Sequence, residues 1–598
     1  MKLPSLASLV RGTTATFLRF PLAITGAVTG TVFGILLAGL SSTGQDIPYW
    51  YWNVLMTCYL GMLLQVAVVV FARQKEFIRW AVQLAGAAAA IGYYFSLPGH
   101  FSEIDVIRFL LFAIGLHLLI AFIPFTGKGE QNGFWQYNKA LFLRILTAAL
   151  YTNVLYIGLT LALFAVEKLF RVNIDMKVYQ DLWLSLVGVF NTWYFLAGFP
   201  KAYATLEGKT DYPKGLKIFT QYVLLPILVL YLVILYAYLV KIVFTARWPE
   251  GWVSYLVLGF SVAGILSLLL MYPVRNEPGN KWIPVFSRFF YFALLPLLVL
   301  LCCAIGRRVN DYGITELRYF VLLLAAWLVF IALYFLVSRK KNIKLIPVSL
   351  CLLTFLSSFG PWGVFGVSRI SQRSRWATLL EKNKILVEGK VVKSTGRVPF
   401  QDRKQISSVT SYLVDMHGYR VLQPYFAQNL DSLMKHTNAP VDTLLSLMNL
   451  SYVGPFDRMD DTTKADGLDY RVSDSTIVTD IRGYDCIIGN YLLPGSPRAY
   501  LFGEDSIYIR FYDLTHRLVI AYNTDSIVKM DMDSLFHTLQ WKSNGSYNTL
   551  EQKDMTFYAA HGRCKCKLIF QDMSGSRLDS SYHMETGTMN IFVGRSNK

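Results

Sequence analysis

The sequence predicts an α-helical polytopic membrane bundle followed by a C-terminal α+β soluble domain. Three observations carry this. Long apolar runs recur through residues 1–369, aromatic and basic residues collect at the ends of those runs, and residues 370–598 switch to the patterns of a water-exposed chain. Of the 598 residues, 54% are hydrophobic and only 16% charged, against about 25% charged in an ordinary soluble domain. Charge divides the chain in the same place. Residues 370–598 hold 27 Lys+Arg and 25 Asp+Glu, a net of +2. The other 30 Lys+Arg and 14 Asp+Glu leave +16 on residues 1–369. Basic loops of that kind set topology and meet anionic lipid headgroups. A nucleic-acid partner needs basic residues gathered on a soluble face, so the near-neutral half argues against one.

A crossing helix needs about 20 mostly apolar residues. About eleven segments qualify: 21–41, 50–72, 80–97, 105–125, 141–165, 181–199, 217–244, 252–273, 287–305, 317–338 and 346–368. The first follows Lys2, Arg11 and Arg19 and is longer than a signal-peptide core, so it reads as an uncleaved helix. Tyr49, Trp50, Tyr51 and Trp52 open the second segment, Trp80 opens the third, and Trp248 and Trp252 flank the eighth. Such rings favour the headgroup boundary, being apolar with one polar edge. Leu224–Leu230 and Leu294–Leu300 share a Leu-Leu-Pro pattern 70 residues apart. This is either a parallel repeat of helix pairs or leucine-rich composition. Pro226 and Pro296 should each bend a helix by freeing a backbone carbonyl.

Loop charge gives the orientation. Alternate loops hold 19 basic residues, from Lys2, Arg11 and Arg19 through to Arg339, Lys340, Lys341 and Lys344, while the intervening loops hold 8. The richer set is expected in the cytoplasm, with the N-terminus. An odd number of spans then puts the soluble domain outside. The basic run Arg369, Arg373, Arg375, Lys382 and Lys384 pulls the other way. If the last segment, interrupted by Phe359, Gly360, Pro361 and Gly363, is re-entrant, the domain is cytoplasmic. Both readings stay open.

The soluble half, 370–598, reads as helices first and strands later. Asp402–His417 places Ile406, Val409, Leu413 and Met416 near one helix face, and 441–450 gives a second helix. From about residue 470 strands take over. Ser506–Tyr512 and Arg517–Tyr522 make a hairpin signal, with further strands at 566–570 and 588–593 and a helix over 531–540. Of seven cysteines, Cys58, Cys302, Cys303 and Cys351 sit in apolar segments as packing residues. Cys486 can pair with Cys564 or Cys566 if the domain lies outside the cytoplasm, or all three stay free on strands. Cys564-Lys-Cys566 is two ligands short of a zinc site.

Ionisable and amide side chains inside spans are the candidate functional residues, because hydrocarbon penalises them. They are Arg108, His117, Arg144, Asn153, Asn191 and Gln221. Each has a plain structural alternative: Arg108 snorkels to the boundary, His117 bonds a neighbouring carbonyl, Arg144 meets lipid phosphate or a helix C-terminus, and the amides bond between helices. No acidic pair stands near mid-membrane, which weakens an ion-coupled transporter. No phosphate-binding glycine loop, HExxH or Gly-x-Ser-x-Gly occurs. Asp46 in the first outer loop, and the cluster Asp457, Asp460, Asp461, Asp466 and Asp469, read as solvated acids.

Asn191–Lys201 (Asn-Thr-Trp-Tyr-Phe-Leu-Ala-Gly-Phe-Pro-Lys), the two Leu-Leu-Pro helices and Ser368–Arg375 running into a soluble tail are the distinctive segments. Together they resemble a bacterial membrane family known only as domain of unknown function 4153, in versions found in Bacteroides-like bacteria. The resemblance covers most of residues 15–450. It implies a multi-pass protein of the bacterial inner membrane, and it carries over no catalytic residues, cofactor or metal. The soluble domain is then expected in the periplasm, and the partners are a bilayer with anionic headgroups and a protein for the soluble domain. The expected role is transport-like or in cell-envelope biogenesis. The alternatives are a membrane-anchored scaffold or sensor, and an enzyme acting on lipids or lipid-linked sugars.

Overall fold

The computed structural model describes residues 6–42, 47–72, 76–99, 102–127, 129–245, 252–278, 280–396, 398–435, 437, 439–454, 465–472, 479–493, 497–502, 505–512, 516–523, 525–543, 547–561, 564–578 and 581–595. Lys2, Asp46, Arg73, Lys75, Lys128, Arg247, Trp248, Asp457, Asp460, Asp461 and the turn Asp513–Thr515 lie outside them. The chain divides into two compact units. One is Met1–Val398 with Gln405–Tyr452, and the other is Pro399–Lys404 with Val453–Lys598.

The first unit is helical. It holds α1 (Leu6–Arg19), α2 (Pro21–Ser42), α3 (Tyr49–Ala72), α4 (Glu76–Ser96), α5 (Glu103–Phe122), α6 (Gln131–Phe170), α7 (Met176–Ser185), α8 (Thr192–Ala197), α9 (Lys214–Ile218) and α10 (Leu225–Thr245). There follow α11 (Trp252–Leu270), α12 (Trp282–Tyr312), α13 (Glu316–Val337), α14 (Leu345–Ser357) and α15 (Val364–Lys382). Among the described residues, eight helices are long and apolar enough to cross a membrane: α2, α3, α5 with its extension to Phe125, α6, the continuous 214–245 stretch, α11, α12 and α13. The other three expected segments are less regular. Helix α4 has 21 residues but carries Arg79 and Gln83. The 176–197 stretch holds Lys177, Asp181 and Asn191 and is interrupted by a wide π turn, Leu186–Asn191. Helix α14 has 13 residues, about 20 Å of rise against a hydrocarbon core of about 30 Å.

The prolines are accommodated in two ways. A second π turn, Phe219–Leu224, directly precedes Pro226. Widening the turn there absorbs the carbonyl that proline cannot bond. Pro296 lies inside α12, which continues from Trp282 to Tyr312 without interruption.

Loops meet at two ends of this unit. At one end, Trp135 Nε1 donates to the Leu269 carbonyl (2.7 Å) and the Tyr212 hydroxyl to that of Leu270 (3.0 Å). At the same end Lys344 Nζ donates to the carbonyls of Phe125 (3.1 Å), Gly127 (2.7 Å) and Gly129 (2.8 Å). At the other end, Gln372 Nε2 donates to Tyr312 (2.9 Å) and Ile314 (3.1 Å) carbonyls. The last apolar segment links the two. It starts beside Lys344, breaks at Gly360 (φ +74°), Pro361 and Gly363, and restarts as α15, whose Ser368 reaches Glu316 at the start of α13. A Cβ on Gly363 would stand 2.8 Å from the Ser357 carbonyl oxygen, and one on Gly366 would stand 2.6 Å from that of Pro361. Only glycine fits this tight break.

Residues 370–398 and 405–452 cluster with the helices, while 399–404 count with the second unit. This part holds the short hairpin β1 (Leu386–Val387) and β2 (Lys390–Val391), then α16 (Phe400–His417), α17 (Leu430–Met434) and α18 (Pro440–Leu447). Trp376, Leu380, Ile406, Leu413, Leu422 and Leu444 form its core, and Trp376 Nε1 donates to Thr410 Oγ1 (3.0 Å).

The second unit is rich in sheet. Its strands are β3 (Ala465–Val472), β4 (Cys486–Leu493), β5 (Arg498–Phe502), β6 (Asp505–Tyr512), β7 (Arg517–Tyr522), β8 (Asp525–Asp531), β9 (Tyr547–Leu550), β10 (Thr556–His561), β11 (Cys564–Leu578) and β12 (Ser581–Arg595). One sheet runs β4-β12-β11-β3-β9, with β10 sharing the outer edge of β11. The other is the meander β5-β6-β7-β8, which contains the expected hairpin with Tyr512 opposite Arg517. Helix α19 (Met532–Ser543) brings Met532, Leu535, Phe536 and Leu539 into the common core. Asp466 and Asp469 fall on β3, not in a loop.

The cysteines form no disulfide, which overturns the disulfide alternative. Cys486 and Cys566 pair with Val593 from opposite edges of β12. Two strand spacings are about 9.5 Å, beyond the roughly 7 Å that a disulfide tolerates. Burial pushes the Cys566 thiol up to about 12.

Lys344→Met should orphan three carbonyls and lower the thermal midpoint of the detergent-solubilised protein, a loss of about 2–3 kcal/mol. Lys344→Arg should recover most of it. Unchanged melting of Lys344→Met would show that water satisfies these carbonyls.

Candidate functional site

A cavity of about 1150 Å³ lies among α2, α3, α5, α6, α7, the first π turn and α8. Its walls are mainly apolar. Along α2 they extend from Gly26 to Ser42, which is about 24 Å of helix. Gly26, Gly30 and Gly34 recur every fourth residue on one α2 face, so no side chain fills the space there.

Two of the six candidate residues line this cavity, His117 and Asn191. The ring of His117 bonds the Ala113 carbonyl through Nδ1 at 2.8 Å. A carbonyl only accepts, so Nδ1 carries the proton and Nε2 of the neutral ring is an acceptor. Among the described residues nothing bonds Nε2. Asn191 lies in the π turn, and its Oδ1 accepts from Thr152 Oγ1 at 3.4 Å. Its amide nitrogen is left without a partner among the described residues. The cavity therefore offers His117 Nε2 as an acceptor and the Asn191 amide as a donor within a mainly apolar wall that also carries Tyr59, Asn138 and Gln180.

The other four candidates lie elsewhere. Arg144 Nε donates to the Tyr194 carbonyl (2.9 Å), and its guanidinium stands 3.6 Å from the centre of the Tyr194 ring. It thus serves the C-terminal end of α8. Arg19, not singled out from the sequence, does the same beside it, donating to the carbonyls of Phe199 (2.9 Å) and Pro200 (2.7 Å). Asn153 Nδ2 donates to Ala149 of its own helix (2.8 Å) on an exposed face. Gln221 sits in the second π turn and does not line the large cavity. Arg108 pairs with Asp105 (3.5 Å) and stacks over Phe365 (5.1 Å to the ring centre).

A buried polar cluster joins α13, α15 and α16. The Tyr412 hydroxyl donates to Glu316 Oε2 (2.6 Å) and Ser368 Oγ donates to Glu316 Oε1 (2.7 Å). His417 Nε2 stands 3.6 Å from Glu316 Oε1 and 3.4 Å from Ser368 Oγ. Burial holds His417 below the ordinary histidine range; Glu316 opposes this and Arg369 adds to it. Burial, with the bond to Glu316, holds the Tyr412 phenol well above its ordinary range. Serine and carboxylate face the same ring nitrogen, so this is no nucleophile–base–acid relay. It is a satisfied buried carboxylate. Sequence reasoning missed it because its members come from three distant segments, none with a local motif.

A family model described as Domain of unknown function (DUF4153) matches residues 16–385. A curated relative, the "Uncharacterized protein PM1469" of Pasteurella multocida (strain Pm70), is 27% identical over 299 residues. The match covers 49% of this chain and 50% of the relative, so the chain spans about half the length of the relative it matches. No solved structure matches the chain.

His417 sets a pH dependence. With its folded pKa depressed, the unfolded chain takes up a proton first as pH falls below about 6.5. Stability is therefore full above that pH and declines below it. The thermal midpoint should drop between pH 7 and 5, and His417→Gln should flatten the drop. Parallel profiles for both proteins would exclude His417 as the source.

Proposed function

We propose that this chain, which belongs to the DUF4153 family, holds an amphipathic, lipid-like molecule in the α2–α6 cavity and serves its transport or its use in building the cell envelope. The carrying observation is the cavity itself: about 1150 Å³, apolar, and furnished with the unpartnered polar atoms of His117 and Asn191. Its roughly 24 Å extent along α2 suits a hydrocarbon chain lying along the helix axes. The two polar atoms suit a hydroxyl or amide part-way along it. A π turn at Leu186–Asn191 supports the reading, since such turns recur at binding sites.

Loop charge supports a cytoplasmic N-terminus in this proposal. Residues 370–452 and the sheet-rich unit are then assigned to the periplasm of an inner-membrane protein. The route of the 345–368 segment, from the Lys344 end to the Glu316 end, supports that side.

Cys58 lines the cavity and reports on it. In a chain with the other six cysteines replaced by serine, an apolar maleimide should label Cys58, and added phospholipid should slow the labelling severalfold. Native mass spectrometry should find lipid on the wild type and little on Gly34→Phe. A Cβ on Gly34 meets only Leu55 Cδ1, at 4.0 Å, so the ring can enter the cavity without distorting the helix. Lipid-independent labelling, together with lipid-free wild-type protein, would overturn the proposal.

A further inference from the structure

A second cavity, of about 580 Å³, lies at the Glu103 end of α5. It is distinct from the first: α5 lends Arg108 and Phe112 to this one and His117 and Ile120 to the other. Nine residues separate Arg108 from His117, about 13 Å of rise. The second cavity is walled by Arg108, Arg369, Asp105, the start of α15 at Phe365 and Gly366, and His417.

We infer that this cavity is a binding site for a phosphate-class anion, with Arg108 and Arg369 as its ligands. Four features lead there. Charge comes first. Asp105 neutralises only part of Arg108, at 3.5 Å, because Ser102 also donates to it from its amide (3.1 Å) and hydroxyl (2.7 Å). Arg369 is exposed and has no acid within ion-pair distance among the described residues. The second is geometry: Arg108 from α5 and Arg369 from α15 line one space, the pairing that shared recognition of a tetrahedral anion needs. The third is the start of α15, a 19-residue helix whose positive end opens on the same space. The fourth is the inner wall, closed by the His417 side chain at 3% exposure, so the anion would sit partly out of water. The glycine-locked break before α15 fixes this geometry in advance, which lowers the ordering cost of binding.

On the cavity wall Asp105 offsets one of the two guanidinium charges, which leaves an excess of one positive charge. The site therefore suits a monoanionic phosphodiester or dihydrogen phosphate better than a highly charged polyphosphate. The phosphate can belong to a lipid headgroup or be free in solution.

The full-length protein is reconstituted in nanodiscs of phosphatidylcholine, with or without phosphatidylglycerol, and melted with and without inorganic phosphate at constant ionic strength. A midpoint raised by phosphatidylglycerol alone identifies a headgroup, and one raised by inorganic phosphate identifies the free anion. Either supports the site if the double variant Arg108→Gln/Arg369→Gln weakens the response at least tenfold. Arg369→Gln alone should weaken it severalfold and, having no ion pair to lose, should fold normally. Arg373→Gln, on α15 but outside the cavity wall, should respond as wild type. Equal midpoints under all conditions, or an undiminished response in Arg369→Gln, would overturn the inference. The Cys58 labelling assay reads the other cavity, so failure here leaves that result untouched.

Discussion

Backbone satisfaction in hydrocarbon is the constraint on which the rest of this structure depends. Every N–H and C=O in a lipid-exposed segment needs a partner within the protein. Continuous apolar helices largely meet that need by themselves, and among the described residues eight are long and apolar enough to do so. The irregular segments cannot. At two places long cations supply missing donors. Arg144 and Arg19 serve the carbonyls at the end of α8 and just beyond it, and Lys344 serves three carbonyls past α5. These side chains look like costly charges in a membrane. They are better understood as the caps that make broken helices tolerable.

The same irregularities create the cavities. A π turn places Asn191 on the wall of the large cavity, and the glycine- and proline-broken segment before α15 places Arg369 and the helix start on the wall of the smaller one. The two differ in character. The large one is mainly apolar, the small one carries charged side chains, and α5 contributes to both. Between α13 and the juxtamembrane helices, Glu316 takes bonds from Ser368 and Tyr412. Removing either donor would leave a buried carboxylate short of partners, which costs more than the bond itself contributes.

Several candidate residues illustrate how far side-chain type alone reaches. Arg144 and Asn153 are equally conspicuous in a hydrophobic run. One bonds a helix end some fifty residues away and the other its own helix. Nothing local distinguishes them, since the difference lies in which helix packs against each face. Arg19 and Glu316 sit near segment ends, where charge is expected, so neither stands out as a functional candidate. Helix Asp402–His417 and the hairpin of Ser506–Tyr512 with Arg517–Tyr522 were legible because each repeats a local period, 3.6 or 2 residues. Strands β4, β5, β8, β9 and β10 were not, because their pairing supplies the order that their composition lacks.

The sequence by itself determined that many apolar helices able to cross a membrane precede a C-terminal part with strand patterns, and that the positive charge belongs to the helical half. Hydropathy and charge are sums over residues, so no folding is needed to read them. Tertiary structure decided which segments are continuous helices, that residues 370–398 and 405–452 cluster with the helical unit, that Cys486 and Cys566 are held two strands apart, and that His117 and Asn191 share one cavity while Arg108 faces another. Each of these depends on contacts between residues far apart in the chain, and local patterning carries no record of them.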